Sequence, residues 1–97
     1  MVIQKINTNE IENILKSIDE KAIQIRVLQE SLERVNENLK LNEKDFKLGK
    51  ISMEIYRDIK ANLEKEAKTL EIEIEKIEKE AKAILAKLCE IINENKI

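Results

Sequence analysis

The sequence predicts an all-α fold: a long antiparallel two-helix coiled-coil hairpin that dimerises into a four-helix bundle. Three observations predict it. Of 97 residues none is Pro and one is Gly, which leaves no material for the repeated turns of a β protein. Two long stretches carry apolar residues at alternating spacings of three and four, the pattern of helices packed along a seam. The single Gly lies between those stretches and is followed by a Ser suited to start a helix.

Composition supports an ordered chain of one domain, residues 1–97. Hydrophobic residues make up 42%, with 17 Ile and 10 Leu, too apolar for a disordered segment. Phe46 and Tyr56 are the only aromatics, so the core has to be aliphatic.

Residues 1–8 have no helical period and read as a short extended or loosely docked arm. A helix is expected over 9–48, capped by Asn9 with Glu12 reaching back from three residues on. Its apolar positions are Ile11, Ile14, Ile18, Ile25, Leu28, Leu32, Val35, Leu39 and Phe46, with Lys21 and Asn42 as polar intruders. Gly49 closes it, because Gly tolerates the left-handed conformation at a helix end. The turn spans 49–52. Ser52 is then the cap of a second helix over 53–95, with Ile51 placed to pack on Tyr56. The second pattern runs Met53, Tyr56, Leu63, Ala67, Leu70, Ile74, Ile77, Ala81, Ile84, Leu88 and Ile91, with Lys60 as its one intruder.

A tight turn makes the two helices antiparallel, so facing residue numbers should share a constant total. With a total of 102, Phe46 faces Tyr56, Leu32 faces Leu70, Leu28 faces Ile74 and Ile25 faces Ile77. The intruders fall into place as well. Asn42 lands opposite Lys60, and Lys21 lands opposite the small Ala81, with Glu78 or Glu80 in reach of its ammonium. Six Glu-to-base pairs at i,i+4, such as Glu43/Lys47 and Glu64/Lys68, support the helices by about 0.2–0.5 kcal/mol each.

A hairpin complete in itself would have polar outer faces, and this one does not. Leu15 and Ala22 flank the first seam, while Ile59, Leu85 and Ile92 flank the second. Ile23, Val27, Leu41, Ile55 and Ile72 lie further round. A stripe wider than one seam implies more than one neighbour, so these flanking residues are the expected contacts of a homo-oligomer and of an unidentified protein partner.

Chemistry is sparse. No His is present, which removes the usual general base and the commonest metal ligand, and no Gly-rich phosphate loop, CxxC or HExxH occurs. No catalytic residue, metal or cofactor is expected, and the chain reads as no enzyme. The run Glu71, Glu73, Glu75, Glu78 and Glu80 reads as a solvated face interleaved with Lys76, Lys79 and Lys82. Cys89, beside Leu88, reads as a partly buried, inert thiol. Tyr56 reads as core. The net charge is −2, and neither helix is basic: nine acidic and seven basic residues in the first, eleven and nine from Ser52 onward. Nucleic acid is therefore not an expected partner. No apolar run approaches the ~20 residues of a membrane span, and the start lacks the form of a signal peptide. A cytoplasmic protein is expected, with peripheral membrane contact left open.

The segment Leu48-Gly49-Lys50-Ile51-Ser52, followed by Tyr56, Lys60 and Leu63, resembles the G-x-I-[ST]-x-x-x-[FY]-x-x-x-K-x-x-L pattern of SHOCT-type short helical-hairpin domains. That resemblance implies an oligomerisation or interaction module, and it covers the turn alone, since the flanking helices here are much longer. The two long helices are also similar to the first hairpin of ESCRT-III-type membrane-remodelling proteins, whose first helix is basic where this one is slightly acidic. The leading expectation is a non-enzymatic scaffold acting through homo-oligomerisation and helix-face binding. The alternatives are an ESCRT-III-like assembly subunit and a nucleic-acid accessory protein.

Overall fold

The computed structural model describes residues 8–94 and contains two helices, α1 (Thr8–Lys47) and α2 (Met53–Glu94), joined by one turn. This is the expected all-α helical hairpin. The arm at residues 1–7 and the last three positions lie outside the described residues.

The turn is built by a few hydrogen bonds. Gly49 takes a φ of 73°, and its N–H donates to the Phe46 carbonyl at 3.0 Å. The Lys50 N–H donates to the Asp45 carbonyl at 2.9 Å. This pair of bonds is a Schellman closure, which satisfies carbonyls the ended helix would otherwise leave open. A Cβ added at Gly49 would meet nothing within 4 Å. The requirement for glycine is thus one of backbone conformation alone, about 1–2 kcal/mol for any other L-residue. Ser52 then caps α2, its Oγ accepting from the Ile55 N–H at 3.2 Å. The cap foreseen at Asn9 is corrected: the helix is already formed at Thr8, so Asn9 lies inside it.

The chain divides into two units, one of residues 26–75 and one pairing the remainder of α1 with the remainder of α2. In the unit containing the turn, Val35, Ala67 and Ile74 are buried, and Leu28, Leu32, Leu39, Leu63 and Leu70 are half-buried. Phe46 stacks on Tyr56 with centroids 4.5 Å apart and planes at 20°, the pairing that the total of 102 requires. In the other unit, Ile14 and Ile77 are buried, and Ile11, Ile18, Ile25, Ala81, Ile84, Leu88 and Ile91 are half-buried. Every apolar seam position read from the heptads is thus at least partly covered, except Met53, which is exposed. Met53 is the first residue of α2, and the turn leaves it no α1 residue to face.

The polar intruders behave differently from one another. Lys21 donates to Glu80 Oε2 at 2.7 Å, choosing the nearer of the two expected carboxylates. Asn42 is 6% exposed and donates from Nδ2 to the Tyr56 carbonyl at 3.1 Å, while its Oδ1 has no partner among the described residues. It does not pair with Lys60, as the register alone suggested. Lys60 is exposed, its Nζ lying 5.8 Å from the Tyr56 ring centre and 3.9 Å from Glu64. A lysine stem is long enough to lead its charge out of the seam into water, and a short amide is not, so Asn42 stays and takes a backbone partner.

Candidate functional site

Because seam burial fixes the heptad register, each exposed apolar residue can be placed. Ile11, Ile18 and Ile25 occupy a positions and Ile14 and Lys21 occupy d in α1. In α2, Ala81 and Leu88 are a, and Ile77, Ile84 and Ile91 are d. Leu15 and Ala22 are therefore at e in α1, and Leu85 and Ile92 are at e in α2. In an antiparallel pair the two e edges border one side of the seam and the two g edges the other. The Lys21–Glu80 bridge agrees, since it joins a d residue, on the g side of its helix, to a g residue.

Four of the five expected contact residues thus share one side of one unit. In axial order they read Ile92, Leu15, Leu85, Ala22, alternating between helices over twelve residues, about 18 Å. Leu15 is 47% exposed, Leu85 45% and Ile92 49%, and Ala22 is exposed as well. The remaining e positions of this unit, Thr8 and Glu78, and those of the other unit, Gln29, Asn36, Glu43, Arg57, Glu64 and Glu71, are all polar, so the strip is a local feature.

Ile59 does not join them. It is at a g position of the unit containing the turn, next to Ile55, while Leu41 and Leu48 occupy c positions of α1 in that unit; all four are exposed. Heptad spacing shows which residues leave the seam, but assigning them to opposite edges also needs the antiparallel orientation. Leu48, treated in the sequence as part of the helix stop, belongs to this second patch.

Cys89 corrects an expectation. It is exposed, because a b position points away from the seam although its neighbour Leu88 points into it. Four residues from Leu85 and three from Ile92, it stands on the α2 shoulder of the strip.

The Lys21–Glu80 bridge shifts the titration of its acid, Glu80. The hydrogen bond from Lys21 holds its carboxyl below the ordinary value of 4.5, followed by the attraction of the Lys21 charge; partial desolvation opposes this and Lys76 adds slightly. A carboxyl depressed in the folded state contributes stability above its unfolded pKa and loses it as pH falls through the folded value. Glu80→Gln should therefore lower the thermal midpoint at pH 7, and the gap to the parent protein should close as pH falls well below 4.5. Circular dichroism melts at both ends of that range check it; a gap unchanged by acid would contradict the bridge.

A hollow of about 210 Å³ beside the turn is lined by Leu39, Lys40, Glu43, Tyr56, Lys60 and Glu64 and holds no nucleophile paired with a base. Among the described residues no group of three or more His, Cys, Asp or Glu is placed to hold a metal ion, and no helix is long and apolar enough to cross a membrane. No protein family, curated protein or solved structure matches the chain.

Proposed function

We propose that this chain is a non-enzymatic helical-hairpin interaction module that associates with itself and offers a further helix face to a protein partner. The observation that carries this reading is the e-edge strip of Ile92, Leu15, Leu85 and Ala22, with three large aliphatics about half exposed where a self-sufficient hairpin would be polar. A second observation agrees: among the described residues no large side chain is fully buried. A single seam covers each residue from one direction only, and a second hairpin laid on the strip would supply the missing side of the core. The patch of Leu41, Leu48, Ile55 and Ile59 is then the face left for a different partner, as expected of a cytoplasmic adaptor or scaffold. Sedimentation velocity at tens of micromolar tests the reading. A mass of two chains is expected, and a monomer throughout would overturn it.

A further inference from the structure

Building on that self-association, the geometry points to a specific arrangement: we propose that the strip's occupant is a second copy of this chain, related by a two-fold axis parallel to the helices, so that each α1 segment lies over the partner's α2. The charges at the strip's shoulders select it. On α1 the b positions bordering the strip are Glu12 and Asp19, both exposed; on α2 they are Lys82 and Cys89, also exposed. One shoulder is acidic and the other carries a cation and a neutral thiol. Two face-to-face arrangements of identical hairpins have two-fold symmetry. With the axis across the helices, α1 lies over α1, and two acidic shoulders meet. With the axis along the helices, each acidic shoulder meets a shoulder bearing a lysine; neighbouring helices run antiparallel in both arrangements, as in an up-down four-helix bundle, so the shoulder charges alone select between them.

The axial match is close. An axis along the helices preserves height, and the register puts Lys82 level with residue 20, one residue from Asp19. It puts Cys89 level with residue 13, one residue from Glu12. Asp19 therefore meets the partner's Lys82, and Glu12 meets the partner's Cys89. An interface of standard size covers about 800 Å² per partner, so the strip forms its centre and these shoulders its rim. The two Cys89 thiols of such a dimer lie over different helices and do not approach each other.

Cysteine cross-linking tests this with the natural thiol. The purified chain and the variant Glu12→Cys are oxidised under dilute copper–phenanthroline and compared on non-reducing gels, with Glu12→Cys/Cys89→Ser as control and sedimentation on each. The proposal expects covalent dimer, at least tenfold above the parent protein, in Glu12→Cys alone. Covalent dimer of the parent through Cys89 would overturn the arrangement while leaving self-association intact. Dimeric mass without any cross-link would overturn the strip as the interface. Monomeric mass in the parent protein would overturn both the arrangement and the self-association it rests on.

Discussion

Ile74→Ala is expected to lower the free energy of unfolding by about 3 kcal/mol, within the ~2–5 kcal/mol range for removing most of a covered aliphatic side chain. Ile72→Ala, two residues away in the same helix, is expected to change it by less than ~0.5 kcal/mol. Both substitutions delete the same atoms, and Ala favours the helix at either position. They differ in surroundings, since Ile74 is 8% exposed and Ile72 is 60% exposed. Ile74 sits opposite Leu28 in the seam, and Ile72 is at an outward f position. Against the ~5–15 kcal/mol that stabilises an ordinary domain, a single seam stands at the lower end, so the Ile74 variant should lose a large part of its cooperative transition. Urea unfolding followed by circular dichroism checks this, with a lower midpoint and an unchanged slope as the expected form. Equal losses at the two positions would mean that the register is displaced.

Leu15→Glu combined with Leu85→Glu is expected to weaken self-association by about three orders of magnitude while leaving the helices intact. Fully burying a leucine contributes roughly 1.5–3 kcal/mol, and each of these is already about half covered within its own hairpin. That leaves about 1 kcal/mol per side chain. A two-fold dimer holds four of them, or about 4 kcal/mol, and tenfold in Kd corresponds to about 1.4 kcal/mol. Introducing carboxylates beside Glu12 and Asp19 adds repulsion. Neither position is in the seam, so the variant's helical signal at high concentration should match that of the parent chain. Sedimentation equilibrium reads the Kd, and retention of the parent's affinity would remove these residues from the interface. The matching pair Gln29→Glu and Arg57→Glu, at e positions of the other unit, should leave association within about threefold.

The seam was legible in the sequence because two simple regularities reinforce each other. Heptad spacing places each helix's inward residues, and the turn at Gly49 forces one helix's series to run against the other's. That combination was enough to pair Phe46 with Tyr56 and to bring Lys21 near Ala81. What it did not reach depends on reach and edge rather than period. Lys60 and Asn42 are opposite in register, yet one side chain is long enough to leave the seam and the other is not. Glu78 and Glu80 both lie near Lys21, and choosing between them requires knowing that Lys21 faces the g edge. Cys89 adjoins a seam leucine, but one position along a helix turns a side chain through about 100°, which is enough to expose it. Ile59, at g, lies two positions and about 200° from the e edge that holds Leu15, Ala22, Leu85 and Ile92. The helix start at Asn9 was misplaced because a good capping residue is also tolerated within the first turn, and nothing in the spacing near it sets the boundary.

In the proposed dimer, a single hairpin is an incomplete core and a second copy completes it. The thermal unfolding midpoint as a function of protein concentration measures this most directly, since a partner that binds the folded state alone stabilises it by mass action. The midpoint is predicted to rise steadily with the logarithm of concentration from about one to several hundred micromolar, and to become independent of it in the Leu15→Glu/Leu85→Glu variant. A midpoint in the parent chain that does not move across that range would show a self-sufficient monomer and overturn the proposed dimer.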